Sequence, residues 1–512
     1  FVLVFLGIWA WFVARSFSRK SKPGKLPPGP TPLPVIGNML QLGTQPHRSL
    51  RQLSKKFGPI MSLRLGKVFT VVVSSPEYAR EVLQKHDQNF SSRIVASAAR
   101  AHGHDKLSMA YIPIGDAWRK IRKLCKEQMF SNFRLDASQH LREARLKKLR
   151  EYVERCRVEG RAVDLGEAAF LTTLNLMSTT FFSMEFAEFG SEKSGEFRSV
   201  IEGVSKIVGV PNFADYFPIL QPLDPQGICK EANVLFGKLL DLIGNLLKQR
   251  LEERAQSSPS RTKKADLLEA LIDLCEQDGG EYSMTHTDIT HLLLDLFVAG
   301  SDTTASTTEW TMTELLRNPE KLEKAQKEMR SVIGLENQVH ESDLSKLPYF
   351  QAMIKEVFRY HPPGINNEYP INPQLIFSSF ACPLLIPHKA DADVEIGGYT
   401  VPKGTQMLVN VWAIGRDENV WPNPESFEPE RFLGSKVDFK GQYFELLPFG
   451  SGRRLCPGMP LATRMLPITV AALIHNFDWK LEDGANPKSI DTVERFGLSL
   501  RKAVPIRAIP SK

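Results

Sequence analysis

The eleven residues Pro448-Phe-Gly-Ser-Gly-Arg-Arg-Leu-Cys-Pro-Gly458 narrow the possible folds of this chain more than any other segment. They set Phe449, Gly452, Arg454, Cys456 and Gly458 in an F-x-x-G-x-R-x-C-x-G spacing, ahead of an apolar helical run from Leu461 to Ile474. Glycine reaches backbone conformations closed to other residues, so the loop can bend tightly and turn amide N–H groups toward the cysteine sulfur. Such donors stabilise a thiolate and tune whatever it ligates. The bland alternative is a glycine-rich loop around a buried free cysteine.

The remainder reads as one folded body. At 512 residues, 42% hydrophobic and 24% charged, the composition is ordinary and excludes disordered, collagen-like and multi-span membrane proteins. Length alone suggests about three domains, but no repeat or long biased linker marks a boundary, so a single large domain is expected. The net charge of +7 comes from 65 basic and 58 acidic residues without the clustering that a nucleic-acid binder needs. Six scattered cysteines (Cys125, Cys156, Cys229, Cys275, Cys382, Cys456) contain no C-x-x-C pair. This argues against a disulfide scaffold or structural zinc and fits a reducing compartment.

Residues Phe1 to Ala14 are unbroken apolar, and Arg15, Arg19, Lys20, Lys22 and Lys25 follow. Fourteen helical residues cover roughly 21 Å, short of the roughly 30 Å of a bilayer core. Residues 1–17 are therefore expected to be a membrane anchor truncated at its start, with the basic flank holding the rest on the cytosolic side. A cleaved signal peptide fits less well, because its basic residues should precede the apolar run. Residues 18–35, basic and then proline-rich through Leu26-Pro-Pro-Gly-Pro30, read as a stiff hinge. Residues 36–512 are expected to form the single large domain.

Within it, residues 60–65 and 68–73 read as a hairpin turning at Gly66-Lys67. The chain from about 76 to 335 is mostly helical, with Glu77–Lys85 a helix and the polar Glu252–Lys264 an exposed loop. Strand-like runs return at Val394–Tyr399 and Gln406–Val411. The expected fold is mainly α with a small β region. Asp288–Arg317 should form one long helix ending at Asn318-Pro319. Its middle, Ala299-Gly-Ser-Asp-Thr-Thr304, is weak helix material, and opening of the hydrogen-bond ladder is expected there. Trp118 and Arg122 share a helix face, as do Glu356 and Arg359, which taken alone would be an exposed ion pair of small value.

The cysteine loop resembles the haem-thiolate signature of the cytochrome P-450 monooxygenases, and the resemblance extends over nearly the whole chain. It implies that Cys456 is the axial ligand of the iron of haem b, pushing electron density toward the distal side to favour O–O cleavage. It further implies that Phe449 shields the sulfur, that Gly452 and Gly458 shape the loop, and that Arg454, Trp118 and Arg122 meet the haem propionates. Thr303 and Asp302 take the oxygen-activation and proton-relay roles. Glu356, Arg359 and Arg431 (of Phe427-Glu-Pro-Glu-Arg-Phe432) form a buried structural network. The segments Cys125-Lys-Glu-Gln-Met-Phe130, Thr172-Thr-Leu-Asn-Leu-Met177, Pro211-Asn-Phe-Ala-Asp-Tyr-Phe-Pro218 and Asp224-Pro-Gln-Gly227 are similar to the plant microsomal group that oxidises terpenoids, which includes geraniol 8-hydroxylase and ferruginol synthase. That resemblance places Phe213, Leu294, Phe297, Val298, Ala299, Leu385 and Phe496 in the substrate pocket, with residues near Ala98–Tyr111.

The implied activity is hydroxylation of a hydrophobic small molecule, a mono- or diterpenoid, with dioxygen and electrons from NADPH. No dinucleotide-binding fingerprint is present, so the electrons come through NADPH-cytochrome P-450 reductase, a flavoprotein. Arg119, Lys120, Lys123, Lys126 and Arg453 offer it a basic docking face, with an ordinary solvated helix face as the alternative. The implied location is the endoplasmic reticulum membrane, with one N-terminal anchor in the lipid bilayer and no nucleic-acid partner. Residues 365–382 depart from the family pattern: they intervene between Pro362-Pro-Gly364 and Pro383-Leu-Leu-Ile-Pro387, read like translated intron, and take in Cys382, which is given no role. The rival readings are a haem-binding protein without turnover, a reductase-free enzyme rearranging peroxides (disfavoured by Thr303), and a product made inactive by the insertion.

Overall fold

The computed structural model describes residues 25–189, 192–256, 266–276, 284–363, 384–495, 501–502 and 504–511. The expected anchor, the start of the hinge, the whole of segment 365–382 with its immediate flanks, and Phe496 lie outside the described residues. No helix among the described residues is long and apolar enough to cross a membrane.

Helices dominate, and one organises the rest. His286–Arg317 runs 32 residues, about 48 Å at 1.5 Å per residue. Its start is fixed by a capping box: the Asp288 amide donates to Thr285 Oγ1 at 3.1 Å and the Thr285 amide donates to Asp288 Oδ2 at 2.8 Å. It ends at Asn318, before Pro319 opens the next helix. The helix is buried on nearly every side and joins two apolar cores. One gathers Phe170, Phe181, Phe182 and Phe297; the other gathers Met312, Leu315, Phe350, Met353, Val357 and Leu473. Leu165–Phe182 packs along it. Gly300 sits at that crossing, where an added Cβ would lie 2.5 Å from Met177 Cε.

The expected opening in the middle of this helix does not occur. The hydroxyls of Ser301, Thr303, Thr307, Thr308, Thr311 and Thr313 each donate to the carbonyl four residues back, at 2.7–2.9 Å. Their competition for backbone groups is thus spent inside the helix, leaving its regular ladder in place.

The hairpin forms as expected, Ile60–Leu65 antiparallel to Val68–Val73. Val68–Val73 then pairs in parallel with Gln406–Val409, which pairs with His388–Lys389, and that with Ser92–Arg93. Val394–Ile396 and Tyr399–Val401 make a separate small hairpin turning at Gly397-Gly398. The segment 77–85 is helical, passing from an α-helix Pro76–Arg80 into a π turn Glu81–Lys85. The loop expected from Glu252 begins later, because helix Ile228–Ala255 runs on. Arg254 Nη2 holds its end, 2.8 Å from Asp273 and 2.7 Å from Glu276.

Glu309, on the same long helix, is 6% exposed beside Asp164 and opposite Lys502. Burial first, then Asp164, pushes its carboxyl up to about 7. The unfolded chain releases that proton near 4.5, so between these values the folded state binds more protons. Stability from this group is therefore present at low pH and is lost as pH rises toward 7. Glu309→Gln is expected to flatten that slope and to stabilise the protein above pH 7 by up to about 3 kcal/mol. Denaturant midpoints at pH 5 and pH 8 measure it; an unchanged difference between the two pH values refutes the assignment.

Candidate active site

Cys456 sits where a constrained loop meets a helix. Gly450 and Gly452 take φ of 70° and 66°, and an added Cβ on Gly452 would lie 2.0 Å from the Leu83 carbonyl oxygen. The loop closes with the Cys456 amide donating to the Phe449 carbonyl at 3.0 Å, and helix Met459–Ile474 starts immediately after Gly458. Burial pushes the Cys456 thiol up, while the amides of Gly458 and Met459 and the Arg122 guanidinium favour the thiolate. Phe449 is held between Phe358 and Phe439, with ring centroids 5.3 and 5.9 Å away.

Cys456 opens into a cavity of about 330 Å³. Its wall includes Phe449, Arg454, Trp118 and Arg122 on one side and Leu294, Val298, Ala299, Gly300 and Thr303 on the other, with Met109, Phe236, Leu385 and Ile386 among the rest. Thr303 Oγ1 donates to the Ala299 carbonyl at 2.7 Å. Asp302, 1% exposed, lies behind the wall. Of the expected pocket residues, Leu294, Val298, Ala299 and Leu385 line the cavity. Phe297 does not: it turns to the opposite side of its helix and packs on Phe181, Phe182 and Phe186. Phe213 starts a short helix, Phe213–Tyr216, away from the cavity wall, where its amide donates to Gln226 Oε1 at 2.6 Å.

The cysteine side of this wall is built for an anion. Trp118 and Arg122 share helix Asp116–Leu124, and the Arg122 and Arg454 guanidiniums lie 5.9 and 5.3 Å from the Trp118 ring centroid. Burial first, then the neighbouring Arg122, lowers the Arg454 guanidinium to about 10. Arg454 donates to the carbonyls of Ser91, Met109 and Ile112 at 2.8, 3.0 and 2.6 Å. The Trp118 indole N–H is buried with no hydrogen-bond partner among the described residues. Two half-buried cations and an orphaned donor beside a cysteine suit a flat iron cofactor with carboxylate arms: Cys456 Sγ for the iron, and Trp118, Arg122 and Arg454 for the propionates. Among the described residues no cluster of three metal-ligating side chains offers another metal site.

Glu356 and Arg359 are fully buried on helix Pro348–Tyr360, paired at 2.7 Å, and Arg431 Nε lies 3.1 Å from Glu356. Arg359 also donates to the carbonyls of Gly415, Pro424 and Ser426. On the basic face, Arg119, Lys120, Lys123, Lys126 and Arg453 are all exposed.

Asp295 and His291 escaped the sequence, whereas His104 and Ser108 fall in the expected Ala98–Tyr111 range; Asp295 and His104 line the wall, with Ser108 and His291 bonded to them. An acidic residue inside the apolar run Leu292-Leu-Leu-Asp-Leu-Phe297 was the available signal. Its partners lie about 190 residues away in sequence, which no local pattern reveals.

The sequence model of the Cytochrome P-450 family matches residues 27–369 and 379–506, leaving 370–378 out. Ferruginol synthase from Isodon rubescens is 54% identical over 98% of this chain and 97% of its own. Sugiol synthase from Salvia miltiorrhiza is 50% identical (100% and 98%), and carnosic acid synthase from Rosmarinus officinalis 49% (99% and 98%). Among solved structures, a zebra fish cytochrome P-450 with progesterone superposes with a TM-score of 0.74 at 26% identity, covering 91% of this chain and 99% of that one.

Proposed function

Because this chain belongs to the cytochrome P-450 family and is a haem-thiolate monooxygenase, we propose that its substrate is a diterpenoid. The observation that carries this reading is the 49–54% identity, over nearly the whole chain, to enzymes named for diterpenoid products. The apolar side chains of Leu294, Val298 and Ala299 on the wall facing the cysteine side agree with it. Haem bound at Cys456 supplies the activation of dioxygen, one oxygen atom entering the substrate and the other leaving as water, with two electrons from NADPH delivered through a flavoprotein reductase. The protein's part is to hold and exclude. Leu294, Val298 and Ala299 press the substrate toward the cysteine side, and the apolar lining disfavours water there. Thr303 Oγ1 holds a proton at the cavity surface, and the role of replenishing it is assigned to the neighbouring Asp302. The basic face around Lys123 and Lys126 receives the reductase, and the apolar and basic N-terminal segment anchors the chain in the endoplasmic reticulum.

The test is reconstitution of the full chain with reductase and a terpenoid panel. NADPH consumption with a hydroxylated diterpenoid is the expected result; consumption without product from any terpenoid refutes it and favours a haem protein without turnover. In the same assay Thr303→Ala should lower product per NADPH roughly tenfold or more, with Thr303→Ser recovering most of it. Equal coupling in Thr303→Ala removes the proton role.

The family match is interrupted inside segment 365–382, which supports reading that segment as an addition next to the ion-pair helix. Insertions of this length in a compact domain are uncommon. A chain lacking residues 365–382 is expected to give a stronger carbon-monoxide difference signal per mole than the full chain. Equal signal and turnover would sink the idea.

A further inference from the structure

Asp295 is a carboxylate in the wall of an otherwise apolar cavity, eight residues before Thr303 and thus about 12 Å along the helix from it. Its surroundings can be counted in protons. His104 Nε2 lies 2.9 Å from Oδ1, the Met109 amide donates to Oδ2 at 2.9 Å, and the single Ser108 hydroxyl proton is shared between both oxygens at 2.8 Å. An ionised carboxylate accepts about four hydrogen bonds; three donors leave one position open. The Asp295 side chain is 13% exposed where it meets the cavity, while His104 behind it is 4% exposed.

The histidines are arranged to keep this acceptor in place. The carboxylate takes the proton of His104 Nε2, so in neutral His104 Nδ1 is the acceptor. His291 Nδ1–H, 2.8 Å away, then donates to it. The chain His291 to His104 to Asp295 orients one carboxylate toward the cavity and ties the 104–109 segment to the long helix. For a purely hydrocarbon ligand this would be wasteful, since a polar acceptor left dry and unfilled is costly.

We propose that Asp295 is a specificity-determining residue that accepts a hydrogen bond from a hydroxyl on the substrate. The preferred substrate is then a diterpenoid that already carries an alcohol or phenol, held by that group at one end while its other end lies near Thr303. The class of reaction that must precede this enzyme is another hydroxylation of the same skeleton. This rests on the diterpenoid reading above.

The probes are ferruginol, a tricyclic phenol, and the same aromatic tricycle without its hydroxyl, titrated into the holoenzyme and followed by the Soret spin-state shift. The wild-type protein is expected to bind the phenol about tenfold tighter, the effect of one hydrogen bond to a charged group. Asp295→Asn should bring the two affinities to within about twofold, mainly by weakening the phenol. Equal wild-type affinities, or an Asp295→Asn variant that weakens both ligands alike, overturn the proposal and leave the diterpenoid reading standing. If neither ligand moves the Soret band, the diterpenoid reading falls and this inference falls with it. Should Asp295→Asn fail to bind haem, Ser108→Ala replaces it. That variant opens a second position on the carboxylate, so the phenol preference is retained or raised; loss of affinity for both ligands would mark the cluster as a purely structural clamp.

Discussion

Cys456→Ser is expected to abolish turnover and the carbon-monoxide difference band of a thiolate-ligated haem while leaving the polypeptide folded. The loop geometry does not depend on the sulfur: Gly450 and Gly452 set the bend, the Cys456 amide closes it on the Phe449 carbonyl, and Met459–Ile474 starts the next helix. A serine hydroxyl fits the same space. It cannot reproduce a polarisable thiolate, and the Gly458 and Met459 amides that favour the anion at sulfur would face a neutral oxygen. Residues one step removed from a metal ligand cost 10–100-fold when lost, so loss of the ligand itself should exceed about a hundredfold in turnover. Far-ultraviolet circular dichroism checks the fold, and reduced carbon-monoxide spectra with product analysis check the site. Turnover within tenfold of wild type would show that Cys456 is not the ligand.

Arg359→Met is expected to destabilise the protein by about 3–5 kcal/mol. Arg359 makes five hydrogen bonds, two to Glu356 and three to the carbonyls of Gly415, Pro424 and Ser426, and it is fully buried. Methionine fills similar space but leaves the Glu356 carboxylate in the interior with only Arg431 and the Glu428 amide. Breaking a buried pair from one side typically costs about 3–5 kcal/mol, because the remaining charge is uncompensated. The denaturant midpoint should fall accordingly, and haem-loaded yield with it, since the same arginine fastens the segment 415–426. Glu356→Gln combined with Arg359→Met should cost less than the two single changes summed. Additive losses, or a midpoint unchanged by Arg359→Met, would show that the pair is not coupled.

The cysteine loop, the long distal helix and the E-x-x-R pair were legible because each is local: the spacing that identifies it is also the spacing that builds it. Leu294, Val298 and Ala299 fell on the cavity for the same reason, one helix face setting all three. Phe297 was misplaced because an apolar residue on a helix buried all round carries no mark of which neighbour it meets; Phe181 and Phe182 of the neighbouring helix and Phe186 just beyond its end decided that. The helix middle stayed closed because threonine hydroxyls found acceptors within the helix, a choice propensity alone does not settle. Asp295 was hidden by distance, since its donors come from the 104–109 segment.

The parallel pairing of Val68–Val73 with Gln406–Val409 also bears on how the molecule is made. Thr70 and Gln406, bonded at 3.1 Å, are 336 residues apart. Contacts that distant are slow to form, because loop-closure entropy is spent before they give anything back. At a synthesis rate of about 5–20 residues per second, the valine-rich strand emerges roughly 15–70 s before its partner exists. During that interval one edge of the Ile60–Val73 hairpin is an open template for other chains. Efficient production of this protein therefore calls for chaperone cover early in synthesis, and expression at low temperature should favour soluble holoprotein.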